Sequence, residues 1–300
     1  MDKKAVNRSE IPQKSTTLKN FIIKNTVFLK SKGIFFSENE LQYVPKSYHK
    51  TGRIISFSLN ENIYYKKNEI GKIFYFMYPD IETVILTSGI SGPFRTPNSE
   101  VVFSLNEPPH TECFHKENGC IFYFDALNLM FSKGNLEEKR RMAKLGKDEV
   151  VVDMFSGIGY FSIPMAVHSK PEKIIAIEKN PYSFKYLEKN IEINKVSEII
   201  FPVRGDCMIS TPKCVADRVL MGFVNTTHHY LFSAISALKD TGGTIHYHET
   251  CPVGLFPKRP IERIENAARI LNKKVIIKDA AVIKKYSPGI LHIVVDAFVF

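Results

Sequence analysis

The 300-residue chain, 44% hydrophobic and 24% charged, is long enough for two domains or for one with a substantial extension, and no apolar stretch reaches the roughly 18 residues that cross a bilayer. Its five cysteines, Cys113, Cys120, Cys207, Cys214 and Cys251, contain no CxxC pair and are odd in number, which argues against a disulfide framework and against a zinc site, and no metal is expected. A formal net charge of +10 favours a polyanionic partner met through its phosphates.

Residues 1–49 read as an N-terminal extension of unclear role. It opens Met1-Asp2-Lys3-Lys4 with no apolar run behind the charges, so no secretory signal is expected and a cytoplasmic location is. A mixed pattern over 21–44 fits a short helix and a strand, and a polar break follows at 46–53. Residues 50–128 read as a small α+β module. It has a strand at 54–59, a helix at 69–78, a strand at 83–86, a Gly/Ser/Pro-rich loop at 88–97, and a strand at 120–125 after the turn signal Asn118-Gly119.

From residue 129 to the end, strands and helices alternate, which implies a mostly parallel sheet covered on both faces. A charged helix spans 136–145 with Asn135 as its N-cap, and strands follow at 150–153 and 174–178. Asn180 caps a helix that has Pro181 at its first position. Further strands fall at 199–203, 216–223 and 244–247, a helix at 260–271, and two last strands at 275–282 and 291–300. The expected fold is α/β: a class I methyltransferase-like, doubly wound sheet closed by a terminal antiparallel hairpin and preceded by the smaller module.

The most informative stretch is 150–161, Val-Val-Val-Asp-Met-Phe-Ser-Gly-Ile-Gly-Tyr-Phe. Three β-branched residues lead into an acid and a two-glycine turn, so backbone is bared where a strand becomes a helix. Glu178 ends the next strand about 20 residues on, where a carboxylate accepts hydrogen bonds from both ribose hydroxyls. The pair indicates a nucleoside-containing cofactor. In such a sheet the ligand lies beyond the carboxyl ends of the strands. Asp153, Gly157 and Gly159 stand there, as do Asp206 and the Cys207 N–H for an adenine edge, and Met221-Gly222-Phe223 where a substrate would stand.

Phe131-Ser132-Lys133-Gly134-Asn135, with Glu138, Lys139, Arg141, Met142 and Ala143, and then 152–161, resembles the tRNA wybutosine-synthesising protein 2 family, a relative of the tRNA (guanine-37-N1)-methyltransferases. Gly92-Pro93-Phe94-Arg95-Thr96-Pro97, His115-Lys116-Glu117-Asn118-Gly119, 217–222 and 246–249 are similar to the same pair of families. The resemblance covers about residues 50–300. It implies S-adenosylmethionine, a tRNA purine next to the anticodon, and cytoplasmic tRNA processing. The methyltransferases carry a Ser-Pro-Arg-like entry and end their fourth strand in an Asn-Pro-Pro-like segment. Here Ser132-Lys133-Gly134 and Met221-Gly222-Phe223-Val224 stand instead.

Both departures point to transfer of the 3-amino-3-carboxypropyl group to 4-demethylwyosine of tRNA(Phe), with release of methylthioadenosine. Neighbouring alternatives are guanine-37 or wyosine-intermediate methylation. A tRNA-binding protein that keeps the cofactor without catalysis is the alternative of another class. The resemblance further implies Ser132 and Lys139 as cofactor contacts, Glu178 on the ribose, and Asp206 and Cys207 at the adenine; Met221, at the end of the fourth strand, is also expected among the cofactor-binding residues. Asp217, His248 and Glu249 are the candidate proton acceptors. Arg95, Lys116, Lys133 and Arg259 are candidate RNA contacts, and Tyr123, Phe223 and Phe256 could stack on a flipped base.

Overall fold

The computed structural model describes residues 15–92, 94–129, 131 and 133–300, with only the backbone of Lys133. The chain divides into two compact units, Met1–His115 with Tyr123–Phe131, and Lys116–Phe122 with Ser132–Phe300.

In the first unit, α1 (Leu18–Lys24), α2 (Thr26–Ser31) and α3 (Glu38–Leu41) precede β1 (Tyr48–Thr51) and β2 (Ile54–Phe57). The helix α4 (Lys67–Met77) then crosses to β3 (Thr83–Ser91), which returns as β4 (Thr96–Ser104). The sheet order is β1-β2-β3-β4, with β2 and β3 parallel and the other pairs antiparallel. Start signals set the first helices: Thr17 Oγ1 accepts from the Asn20 N–H, and Ser37 and Glu40 form a reciprocal capping box.

Leu18, Phe21, Leu29 and Ile34 are buried in one core with Ile55, Ile70, Phe74 and Val84. Residues 15–49 of the expected extension are therefore part of this unit, because their apolar side chains pack into the core with α4 and the sheet. Two local expectations also change. Helices alone occupy 18–41, with no strand, and part of the expected 88–97 loop is strand, because β3 and β4 pair out to Ser91↔Thr96.

Next in the chain, β5 (Glu112–Glu117) and β6 (Cys120–Asp125) form a two-stranded sheet. The second unit then follows the expected alternation. Its elements are α5 (Leu136–Met142), β7 (Val150–Asp153), α6 (Ser162–His168), β8 (Lys173–Glu178), α7 (Pro181–Ile193), β9 (Ile200–Arg204) and α8 (Cys207–Ser210). After these come β10 (Arg218–Met221), α9 (Leu231–Ala237), β11 (Gly243–Pro252), α10 (Lys258–Ile270), β12 (Val275–Ser287) and β13 (Ile290–Val299).

The strand order is β12-β13-β11-β10-β7-β8-β9. All pairs from β11 to β9 are parallel, and β13 pairs antiparallel with both β11 and β12. The order reverses between β7 and β10, so a ligand crevice is expected beyond Asp153 and Met221. Asn180 caps α7 as its sequence predicts, its Oδ1 accepting from Tyr182 N at 2.9 Å. Asn135 holds the N-cap position of α5 as expected, but a 3-10 turn at Lys133–Asn135 precedes the helix and the Asn135 side chain makes no capping bond. β11 runs ten residues rather than four, because its ladder with β13 continues after β10 has ended.

Candidate active site

The glycine turn is built for close backbone approach. Gly157 and Gly159 have φ of +58° and +98°, and a Cβ on Gly159 would come within 2.4 Å of Ile163 Cδ1. Asp153 is fully buried, with Oδ2 accepting from Ser162 Oγ at 2.6 Å and Oδ1 from Phe155 N at 3.2 Å. Burial pushes its carboxyl up to about 6. Its oxygens are thus spent inside the turn, tying strand to helix.

Glu178 stands beside the turn at the end of β8. Its Oε2 accepts from Gly157 N at 2.8 Å and its Oε1 from Asn180 N at 2.7 Å, while burial raises its pKa. The carboxylate is thus aimed across the glycine backbone, where a ribose would lie. Gly205 N donates to Glu178 O at 3.0 Å, which brings the end of β9 alongside. There Asp206 caps the short α8 through Met208 N and pairs with Lys179 Nζ at 2.7 Å, which holds its carboxyl below the usual range. Burial drives the Cys207 thiol up to about 12, so it is no nucleophile. Glycine backbone, Glu178 and the Asp206-Cys207 turn therefore line consecutive strand ends.

On the other side of the turn, Lys139 of α5 is 1% exposed, bonded to Glu117 Oε1 at 2.6 Å and lying 5.2 Å over the Tyr160 ring. Burial lowers its pKa against the pull of Glu117. Gly222, after β10, leaves room for the Phe161 ring, which a Cβ would meet at 3.0 Å. Phe161 stacks on His248 with ring centroids 5.6 Å apart.

Several expected roles change here. Met221 is fully buried in the core, so its side chain lines no open site. Asp217 lies at the opposite, amino edge of the parallel strands, accepting from Val150 N at 2.8 Å and paired with Lys239. The register that begins at Arg218 puts it there, so it is no proton acceptor for the crevice. Glu249 is wholly buried and neutralised by Arg259 and Arg263, with the Tyr247 hydroxyl also donating to it. That pairing uses Arg259 as well, whose Nη2 also donates to Thr250 O, so the RNA contact expected of it is replaced by a structural one. Ser132 and the Lys133 side chain lie outside the described residues.

Comparison with known proteins decides the family. A family model described as the TRM5/TYW2 methyltransferase domain matches residues 113–276, and one described as the TYW2 N-terminal domain matches 32–103. The chain is 46% identical over 215 residues, 71% of its length and 84% of the relative, to the tRNA(Phe) (4-demethylwyosine(37)-C(7)) aminocarboxypropyltransferase of Methanocaldococcus jannaschii. It is 37% identical to the protein of the same name from Pyrococcus horikoshii, over 88% of this chain and 92% of that one. The solved structure of P. horikoshii TYW2 in complex with MeSAdo superposes with a TM-score of 0.80 at 33% identity, covering 94% of this chain and 99% of that one.

The chain belongs to the TRM5/TYW2 family.

Within this TRM5/TYW2 chain the sequence reading missed a buried polar network behind Phe161. His248 Nδ1 and His292 Nε2 are 3.3 Å apart, and His248 Nε2 is 3.4 Å from Glu138 Oε1. Arg141 bridges Glu138 and Asp296, and Asp296 holds His246 Nδ1 at 2.7 Å. The available signal was the pattern His246-x-His248 on one strand against His292 and Asp296 on the strand predicted beside it. Burial holds His248 and His292 down to about 3, with His246 and Arg141 further disfavouring charge on His248, and His248 and Lys284 on His292.

Because those folded-state values lie below the ordinary histidine value, the pair favours folding above about pH 6.5 and withdraws that contribution as pH falls toward 3. Urea unfolding at pH 7, 6 and 5 should show His292→Gln losing stability less steeply than the parent, by up to about 1.4 kcal/mol per pH unit. Parallel slopes would refute the assignment.

The other expected partners of the RNA are placed as follows. Lys116 is exposed on β5, and Arg95 is half-buried at the β3–β4 turn. Phe223 stacks on Phe155 at 5.3 Å, Tyr123 donates its hydroxyl to Glu112, and Phe256 packs against the core. Among the described residues no His/Cys/Asp/Glu group could hold a metal, and no helix is long and apolar enough to cross a membrane.

Proposed function

We propose that the chain transfers the 3-amino-3-carboxypropyl group of S-adenosylmethionine to C7 of 4-demethylwyosine at position 37 of tRNA(Phe), releasing methylthioadenosine in the cytoplasm. The observation that carries this reading is the 46% identity to an aminocarboxypropyltransferase of that name, over 84% of its length. The end of β10 agrees: Met221 there is buried in the core and Gly222 packs on Phe161, unlike the polar end expected for methyl transfer.

The residues present fit the nucleoside. Glycine backbone at 157–159 admits close approach, the Glu178 carboxylate faces it, and Asp206 with Cys207 borders the next strand end. S-adenosylmethionine supplies, when bound, a sulfonium-activated carbon, so the protein's task is alignment rather than covalent catalysis. Glu178 would hold the ribose end, with Tyr160 and buried Lys139 on the other side of the glycine turn. His248 is neutral at physiological pH and one residue beyond the Met221↔Tyr247 level, behind the Phe161 ring. It positions that ring rather than taking a proton. Arg95 and Lys116 are proposed to meet tRNA phosphates.

With tRNA carrying 4-demethylwyosine, chromatography of the released nucleoside should give methylthioadenosine. Release of S-adenosylhomocysteine would assign methyl transfer instead, and no turnover despite tRNA and cofactor binding would favour a binding protein.

A further inference from the structure

The terminal hairpin overshoots the parallel strands. β10 ends at Met221, opposite Tyr247, but β11 continues to Pro252 with β13 paired along it to Ile290. Those five further residues carry the sheet about 17 Å past the end of β10. β12 follows β13 to Ser287↔Ile290, and Val253 N ties the turn back by donating to Gly289 O at 3.1 Å. The hairpin end thus forms a ledge beside the segment after β10.

Two side chains fix which parts of the chain the ledge borders. Lys284 stands opposite His292, and a Cβ on Gly134, in the turn before α5, would come within 2.8 Å of its Nζ. Tyr286 is the extra residue of a bulge between Lys285↔Leu291 and Ser287↔Ile290. Its hydroxyl lies 3.5 Å from Asn225 Oδ1, two residues past Phe223, and its ring is 42% exposed.

Charge on the ledge is one-sided. Residues 222–230, 250–257 and 281–291 contain Lys284 and Lys285 but no acid, in a chain with 31 acids among 300 residues. Glu249, within β11, is wholly buried and held by Arg259 and Arg263. Glu138 is held by Arg141 at 2.7 Å, and Glu117 by Lys139 at 2.6 Å. Lys284 is half-buried, and among the described residues it has no hydrogen-bond or ion-pair partner. A half-buried ammonium without a counter-ion costs free energy, which a fixed anion would recover. In a tRNA-modifying family the anion at hand is a phosphodiester, and a base presented for reaction leaves its stack with its backbone close by.

We propose that the ledge receives the single-stranded RNA backbone next to the target base, Lys284 pairing with a phosphate and Tyr286 offering its ring to a neighbouring base. This rests on the function proposed above only in taking tRNA as the substrate. The ledge then orients the loop while the crevice holds the cofactor.

Binding of tRNA(Phe), and of its isolated anticodon stem-loop, measured against salt concentration tests this with the full chain. Lys284→Met keeps the aliphatic stem and should weaken both RNAs roughly 10-fold near physiological salt. The slope of log affinity against log salt should become shallower by about 0.7, the value for one phosphate contact to a single strand. Lys284→Arg should recover most of the loss. Tyr286→Leu should lose roughly five-fold with the slope unchanged, as for a stacked base. S-adenosylmethionine affinity within about two-fold of the parent shows that each variant is folded.

Unchanged RNA affinity and slope in Lys284→Met would overturn the ledge. So would loss of S-adenosylmethionine affinity with RNA binding intact, which would make Lys284 a cofactor contact. Loss with whole tRNA but not with the stem-loop would also overturn it, by placing the contact away from the target base. These binding readouts are independent of the group transferred, so methyl label in the RNA would overturn the proposed reaction and leave the ledge standing.

Discussion

Glu178→Ala is expected to weaken S-adenosylmethionine and methylthioadenosine alike, by roughly 10- to 100-fold. The carboxylate is placed to accept from two ribose hydroxyls, and bonds to a charged acceptor contribute about 1.5–3 kcal/mol each. The loss stays below the sum of two such bonds because, without ligand, the same oxygens accept from Gly157 N and Asn180 N. Removing them also loosens the turn, so both ligands suffer. Calorimetric titration of both ligands measures this directly, and unchanged affinity would refute the ribose role.

Glu249→Ala is expected to destabilise the fold by about 2–4 kcal/mol, because it strands two guanidiniums and a tyrosine hydroxyl around a buried void. Arg259 and Arg263 are only 26% and 29% exposed, so water relieves part of this cost and the figure stays at or below that of a fully buried pair. Urea unfolding reads the loss. Turnover per folded molecule should stay within a few-fold of the parent, since Glu249 is neutralised by its partners. A thousand-fold fall in rate with stability intact would make it the proton acceptor after all.

The parts legible in the sequence were those with local signals. Val150–Asp153 with its glycine turn, Glu178 one strand later, and Asn180-Pro181 at a helix start each carry period, spacing or capping chemistry within a few residues. Roles that depend on register were not legible. Asp217 lies in the strand run expected at 216–223 and Glu249 just past the one at 244–247, yet the pairing of Arg218 with Val151 sends the first to the wrong edge of the sheet, and the helix α10 brings two arginines onto the second.

The early helices were hidden for a related reason. Leu18, Phe21 and Leu29 have no long periodic run around them, and only packing on α4 and its sheet shows why they are apolar.

The most direct measurement is transfer from S-adenosylmethionine labelled separately in its methyl and its carboxypropyl carbons, with tRNA bearing 4-demethylwyosine as acceptor. The expected result is carboxypropyl label in the RNA and methyl label in released methylthioadenosine. Methyl label in the RNA would contradict it.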